Sequence, residues 1–368
     1  MPRSDTSQVV TSNAVAVPEP TVYSIFHHPD CGAVYEDGMG MTISSQQPLK
    51  LPLVLPALFV RMDVTFSASP LDARSCATRK LARVSTTTFA FDYRAREPGP
   101  PLRRAVASIW YARGTVPYRR ERIAPTGSTV AVFVLGDPIV ESQTWPRATS
   151  VRATEGFLIG PHDRPVINEP TGETVAVGII TTAVGCRSVF GLEPLGIAGQ
   201  VVDLVERWPT ARAIRGSLLR LTDPEAMLDL VADYLTAALD LTDPGLDRCE
   251  RAIALLGDDP TLPIASVART VGVSHGHLDR EFARIIGLSP RRLARLLRVQ
   301  RLLEGIDAHG DVAWASLAAS LGWSDQSHLI RDVKRHTGVS PSWYVAAQRA
   351  WISPGTSPAL AGFVPEPM

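Results

Sequence analysis

One segment occurs twice near the C-terminus of this 368-residue chain, and this repeat constrains the fold more than any other feature of the sequence. The first copy spans residues 264–290 and the second spans residues 314–341. Both copies have a glycine after their first apolar stretch, and both end in Gly, an aliphatic residue, Ser and Pro. Because these residue types shape turns and helix ends, the sequence predicts the same supersecondary unit twice.

The spacing within each copy predicts two helices joined by a sharp turn. In the first copy Val267, Ala268 and Val271 share one helical face, and Gly272 follows where the chain must turn. The hydroxyl of Ser274 can then cap the next helix. This is the helix-turn-helix pattern, in which the second helix enters the major groove of DNA. A mere pair of packed helices would show the same pattern once, but two matched copies favour DNA binding.

The outer face of each second helix holds the side chains that could contact DNA. Leu278 and Phe282 point inward in the first copy, as Leu329 and Val333 do in the second. Arginine can bind guanine through two hydrogen bonds, and glutamine can bind adenine in the same way. The outward-facing residues are His275, Gly276, Asp279, Arg280 and Arg284 in the first copy and Gln326, Ser327, Arg331 and Arg335 in the second.

A linker helix between the two copies is predicted from Pro290 to about Ile306. Its length of roughly 25 Å is less than the ~34 Å between successive major-groove faces, but recognition helices placed beyond its two ends could make up the difference. Its arginines could bind phosphates, or they could form an ordinary solvated face. Residues 248–351 contain 14 basic and 10 acidic residues, although the net charge of the whole chain is zero. A mildly basic C-terminal region suits contact with phosphates.

The middle of the chain shows the pattern of short strands. Four stretches rich in β-branched and aromatic residues are separated by Gly, Pro, Asp and Asn. Helical spacing returns from about 192 to 243. We therefore predict an α+β protein with an N-terminal barrel- or sandwich-like β-rich domain, a helical connector and an all-α C-terminal domain, in which a linker helix joins two helix-turn-helix units. The four predicted strands are 106–111, 129–135, 156–160 and 174–181.

The C-terminal region resembles the AraC/XylS family of bacterial transcription regulators. The match rests on Leu321-Gly-Trp-Ser-Asp-Gln-Ser-His-Leu329, followed by Gly338-Val-Ser-Pro341. The resemblance implies a sequence-specific transcription regulator whose recognition helices occupy adjacent major grooves. Many members have aromatic residues where this chain has Leu329 and Val333. The implied base contacts are Gly276, Asp279 and Arg280 in the first unit and Gln326, Ser327 and Arg331 in the second; the implied phosphate contacts are His275, Arg284, Lys334 and Arg335.

Gly276 and Asp279 offer no strong base-binding group, so the first unit is expected to depend mainly on Arg280.

The β-rich part resembles a sensor-like domain found on some family members. This implies that the domain binds a small-molecule effector or supports dimerisation with a second copy of the chain. Double-stranded DNA and RNA polymerase are the other partners expected of such a regulator. Candidate pocket residues are aromatic or imidazole side chains, which could equally form the hydrophobic core: Trp110, Phe133, Trp145, Phe157 and His162.

The resulting division of the chain has five parts. They are a poorly ordered arm at 1–77, a β-rich sensor-like domain at 78–190, a helical connector or dimerisation segment at 191–245, a double helix-turn-helix domain at 246–352 and a disordered tail at 353–368.

Two other functions stay open at this point. An enzyme is one, because some relatives join this DNA-binding part to a methyl-transfer domain with reactive cysteines. Here the cysteines are isolated, and the chain has no phosphate-loop or HExxH pattern. We expect no enzyme activity, no cofactor and no metal site, and we interpret the cluster at 27–31 as part of a polar arm. A protein-interaction adaptor is the other alternative.

The location that we expect is the cytoplasm. The four cysteines lie far apart, which favours reduced thiols. The apolar run at 51–60 is broken by prolines and is too short to cross a bilayer, which needs about 20 apolar residues.

Overall fold

A computed structural model describes residues 91–116, 118–351 and 362–366. All of them belong to one compact unit, Leu49–Met368. The arm expected to be poorly ordered at 1–77, with its cluster at 27–31, lies outside the described residues. In the described part no helix is long and apolar enough to cross a membrane, and no group of metal-binding side chains occurs there.

Two antiparallel sheets form the β-sheet domain. The first sheet has the strand order β1-β2-β9-β4-β7-β10, and the second has the order β11-β3-β8-β5-β6. The sheets pack together but do not close into a barrel. The strands are β1 (Phe91–Arg96), β2 (Val106–Gly114), β3 (Arg120–Ile123), β4 (Val130–Val134), β5 (Ile139–Gln143), β6 (Thr149–Ala153), β7 (Gly156–Ile159), β8 (Val166–Pro170), β9 (Thr174–Thr181), β10 (Val201–Asp203) and β11 (Phe363–Glu366).

The first sheet is buried on both faces, which explains why its central strands are nearly continuous apolar runs. Trp110, Val132 and Phe157 pack in the layer between the two sheets. Ile109 and Phe133, on the opposite face, pack against the connector helices. Side chains alternate along each strand, so neighbouring residues supply the two layers. The predicted sandwich-like domain is confirmed, and all four strands expected from the sequence are present.

The connector helices cover the outer face of the first sheet. Asp223 caps α5 by accepting hydrogen bonds from the backbone N–H groups of Glu225 and Ala226, and Pro224 occupies the first helical position. A short 3-10 helix, Leu102–Arg104, precedes β2. The connector helices are α1 (Gly185–Phe190), α2 (Pro194–Ile197), α3 (Leu204–Arg207), α4 (Thr210–Leu218) and α5 (Pro224–Ala238).

Seven helices form the all-α C-terminal domain, and they enclose two separate cores. One core lies beneath the first repeat copy and the other beneath the second. The linker helix α9 contributes to both, because Leu293 belongs to the first core and Leu302 to the second. The helices are α6 (Leu246–Asp258), α7 (Ile264–Thr270), α8 (His275–Ile285), α9 (Pro290–Glu304), α10 (Trp314–Ser320), α11 (Gln326–Thr337) and α12 (Pro341–Trp351).

Two features differ from the sequence-based expectations. Strand β10 lies in the segment expected to be a purely helical connector, and it pairs with β7. The tail expected to be disordered contains β11, which pairs antiparallel with β3. Phe363 and Val364 are buried there, and Val364 packs in the core of the second unit. The tail is ordered here because β3 offers an unpaired edge and the second core has a place for an aliphatic side chain.

Candidate nucleic-acid interface

The first helix-turn-helix unit consists of α7 and α8, joined by a tight turn. Gly272 has a φ of 83°, the left-handed backbone that favours glycine. Ser274 then caps α8, because its Oγ accepts a hydrogen bond of 3.2 Å from the backbone N–H of His277. Leu278 and Phe282 are fully buried, as predicted, so the core fixes the rotation of α8 about its own axis. The opposite side of α8 is therefore left for solvent or a ligand.

The second unit, formed by α10 and α11, has the same construction. Gly322 has a φ of 77° at the turn. The Asp325 carboxylate caps α11 by accepting a 2.7 Å hydrogen bond from the backbone N–H of His328. Leu329 and Val333 are fully buried. The second core thus orients α11 just as the first core orients α8.

The predicted base-contact residues lie together on the outer faces of these two recognition helices. In α8, Gly276 and Arg280 are exposed and Asp279 is half-buried; in α11, Gln326, Ser327 and Arg331 are all exposed. Arg280 and Arg331 occupy matching positions in the repeat. Among the residues that the structure describes, neither guanidinium has a hydrogen bond or an ion pair. Two arginine side chains are therefore available to an external acceptor, and each extends from a rigid helix.

His275 and Lys334 are exposed beside these residues, at the positions expected to contact phosphates. The Nε2 atom of His275 lies 3.7 Å from the Asp279 carboxylate, one helical turn away. This contact lies at the surface, so it adds little stability and can be exchanged for a contact with a ligand.

Arg284, another predicted phosphate contact, already has an anionic partner. Its guanidinium forms two hydrogen bonds with the carboxylate of Asp243, one of them of 2.9 Å. Hydrogen bonding from Arg284 lowers the pKa of Asp243 to about 2, so the carboxylate is ionised at neutral pH. In this conformation Arg284 is directed towards the segment before α6.

Arg335 is held in the same way, by the β-sheet domain. Its Nη2 donates a hydrogen bond of 2.8 Å to Asp163, in the loop between β7 and β8. Arg292 of α9 donates two more hydrogen bonds, of 2.7 and 3.1 Å, to the same carboxylate. Burial of Asp163 favours its protonated form, but the two arginines outweigh this effect and hold its pKa well below the ordinary value. This ion-pair cluster joins the two domains.

The five candidate pocket residues do not form one site. Trp110 and Phe157 belong to the core between the sheets, and Phe133 belongs to the core beneath the connector helices. Only Trp145 and His162 line a common cavity, whose volume of about 10 Å³ leaves room for roughly one water molecule.

This small cavity lies beside the domain junction. The guanidinium of Arg164 lies 5.2 Å from the centre of the Trp145 ring, and that of Arg292 lies 5.9 Å from it. The buried His162 donates a 2.8 Å hydrogen bond from Nδ1 to the carbonyl of Gly160. Burial lowers the pKa of His162, so its ring is neutral at neutral pH.

Two family models match separate parts of the chain. The model described as a helix-turn-helix domain matches residues 267–347, which include both units and the linker helix. The chain carries an AraC-type helix-turn-helix domain. The other model, described as a domain of unknown function (DUF6597), matches residues 94–203, within the β-sheet domain that precedes the AraC-type domain. No curated protein sequence matches the chain significantly.

Several solved structures are similar to the chain at low identity. ToxT from Vibrio cholerae is 10% identical, with a TM-score of 0.38, and the match covers 70% of this chain and 98% of that one. ToxT from Vibrio cholerae strain SCE256 with an unsaturated fatty acid bound is 13% identical, with a TM-score of 0.37, 70% of this chain and 94% of that one being covered. A regulator with an AraC-type DNA-binding domain from Chromobacterium violaceum is 23% identical, with a TM-score of 0.26, 29% of this chain and 96% of that one being covered.

Sequence patterns predict the recognition helices of the AraC-type domain but not the acidic partners of its arginines. Asp163 and Asp243 lie far from Arg335 and Arg284 along the chain, and no local pattern connects them. These patterns also do not distinguish Ile330, an exposed apolar residue on α11. Ile330 directly follows the buried Leu329. Because successive residues of a helix point about 100° apart, this adjacency is the one sequence signal that could have placed Ile330 outside the core.

Proposed function

We propose that this protein is a sequence-specific DNA-binding transcription regulator of the AraC type. In this proposal α8 and α11 enter neighbouring major grooves of one duplex. The observation that carries the proposal is the pair of matching arginines, Arg280 and Arg331. Both project from the outer faces of recognition helices and have no hydrogen bond or ion pair within the described residues. A guanidinium in that position can bind O6 and N7 of guanine through two hydrogen bonds.

The side chains around these arginines have distinct roles in the proposal. Gln326 and Ser327 contact bases in the second half-site, and Arg331 lies beside them. Gly276 and Asp279 face bases in the first half-site, where Arg280 supplies the main specific contact. Phosphate contacts set the register of the protein on the duplex without distinguishing sequences. His275 and Lys334 are exposed and can bind phosphates without other changes.

Arg284 and Arg335 can offer all of their N–H groups to phosphates only after releasing Asp243 and Asp163. DNA binding would then exchange one anionic partner for another at each of these arginines. Because Asp163 belongs to the β-sheet domain, the state of that domain affects how readily Arg335 is released. The ion pair between Asp163 and Arg335 therefore supports a regulator whose DNA binding responds to an effector.

An effector in this proposal binds near Trp145 and His162. Arg292 contacts both the Trp145 ring and Asp163, so a ligand that moves Trp145 also changes the ion pairs at the domain junction. The cavity has to open before it admits a molecule larger than water. RNA polymerase and a second copy of the chain are the further partners that we propose, and the cytoplasm is the proposed location.

The test is selection of bound sequences from a random duplex pool with the full-length protein. We expect an enriched motif with two half-sites about one helical turn apart. The matched control is the double variant Arg280→Ala/Arg331→Ala, which should fold and yet lose the enrichment. Failure of the unchanged protein to enrich any sequence at moderate ionic strength would refute the proposal.

A further inference from the structure

The outer face of α11 carries one apolar side chain among polar ones. Ile330 is 38% exposed, whereas the neighbouring Leu329 is fully buried. At about 100° per residue, the helical positions of Gln326, Ile330 and Lys334 follow one another within the exposed arc of the helix. Ile330 therefore lies between proposed DNA contacts, on the flank of the helix about 100° from the buried Leu329.

The packing of α11 against the second core does not involve Ile330. Leu329 and Val333 supply the apolar contacts with the second core, and Ile330 is not part of that core. Asp332 accepts a 2.9 Å hydrogen bond from the indole Nε1 of Trp323 and so occupies the polar part of the buried side. Ile330 is thus not needed to hold α11 in place, and its exposed side chain is free to contact a ligand.

The major groove offers an apolar partner of matching size. The C5-methyl group of thymine projects into it beside hydrogen-bonding groups, and apolar side chains distinguish thymine through that methyl group. A β-branched side chain is stiff, so it presents its methyl groups in a defined direction at little entropic cost. Resting on the proposed function, we propose that Ile330 is a specificity-determining residue that packs against the C5-methyl group of a thymine.

The first unit has a different residue at the matching position. Ile330 and Asp279 precede the Ser-Pro pairs of their copies by the same number of residues. A carboxylate cannot pack against a methyl group, although it can accept a hydrogen bond from the amino group of cytosine. The two half-sites therefore differ at this position, and only the half-site bound by the second unit contains the methyl-dependent thymine.

The test removes only the C5-methyl group of each thymine in the DNA. In the motif selected by the full-length protein, each thymine is replaced in turn by deoxyuridine, and the dissociation constant is measured for the unchanged protein and for Ile330→Ala. One position should show a roughly threefold to tenfold loss of affinity with the unchanged protein. The same replacement should have no effect on Ile330→Ala, because that variant no longer contacts the methyl group.

Trp343→Ala is the matched control, since Trp343 is equally exposed but lies on α12. This variant should keep the full deoxyuridine effect. If a motif is selected but no thymine shows a loss that depends on Ile330, the assignment of Ile330 is wrong while the proposed function stands. If no motif is selected at all, both are wrong. Thermal unfolding of Ile330→Ala should match that of the unchanged protein and so confirm that the variant is folded.

Discussion

The carboxylate of Asp163 accepts a 2.8 Å hydrogen bond from the guanidinium of Arg335. Asp163 belongs to the β-sheet domain, and Arg335 lies on the recognition helix of the second unit. Arg292 of the linker helix binds the same carboxylate. One buried anion thus fixes two cations of the DNA-binding domain.

Asp163→Asn should lower the free energy of unfolding by about 1–3 kcal/mol, because it removes the anion that neutralises a cluster of arginines. The arginines are partly exposed, so water screens some of their repulsion and the loss stays below that of a fully buried pair. Urea denaturation measures the change. Asp92→Asn, which alters an exposed pair with Arg94, is the control and should change stability by less than about 0.5 kcal/mol. Equal losses in the two variants would contradict this account of Asp163.

Arg331→Ala should lower the affinity for the selected DNA by about 1–3 kcal/mol and relax the preference at one base position. Lys334→Ala should instead weaken binding to all duplexes alike and reduce the salt dependence by about one phosphate contact. Titrations of specific and random duplexes at several salt concentrations separate the two effects. A loss for Arg331→Ala that is the same on both duplexes would exclude a base contact.

Phe363→Ala should lower the free energy of unfolding by about 2–4 kcal/mol, since the side chain is almost fully buried. The loss cannot exceed the free energy with which β11 docks, because the strand can detach while the rest of the chain stays folded. Glu366→Gln is the matched change in the same strand. It weakens the mostly buried ion pairs with Arg120 and Arg122 but leaves an amide oxygen that can still accept their hydrogen bonds, so it should cost about 1 kcal/mol. If Phe363→Ala had no effect on thermal or urea unfolding, β11 would not be docked in solution.

A pH dependence of stability is expected from Glu121, which lies on β3. Burial raises the pKa of Glu121 to about 7 from an ordinary value of 4.5, and a hydrogen bond from Tyr118 opposes this only in part. The folded protein therefore holds a proton that the unfolded chain releases between these two values. The contribution of Glu121 to stability is fully present below about pH 4.5 and falls as the pH rises towards 7, by about 1–3 kcal/mol in all.

Glu121→Gln should reduce this slope, because the amide does not titrate. The buried Glu141, whose pKa is also raised by burial, keeps the rest of it. The variant should gain stability relative to the unchanged protein at about pH 8, and the gain should be smaller at about pH 5. Tyr118→Phe keeps the carboxyl group, so its stability should still fall with rising pH. Thermal unfolding across this range measures all three proteins, and an unchanged slope in Glu121→Gln would assign the pH dependence to another group.

Local patterns were enough to predict the two helix-turn-helix units. Gly272 and Gly322 mark the turns, Ser274 and Asp325 cap the recognition helices, and apolar spacing places Leu278 in the core. Each of these signals acts over a few residues along the chain. They can therefore be recognised in a single sequence without knowledge of the tertiary structure.

Long-range contacts could not be predicted in this way. The partners Asp163 and Arg335 lie far apart in sequence, and nothing near either residue specifies the other. The sequence around Phe363 is short and rich in proline, which suggested a disordered tail, but the edge of β3 orders it. Aromatic residues such as Trp110 gave no sign of whether they line a pocket or fill a core, because both environments favour the same side chains.

Strand β11 makes the two domains inseparable in practice. It completes a sheet in one domain and places Val364 in the helical core of the other, so neither domain is whole without it. A truncated protein that ends at α12 would leave the β3 edge open to other chains and a hole beneath the second recognition helix. Such a fragment would aggregate more readily than the full-length protein, and DNA-binding measurements made on it would describe a damaged domain.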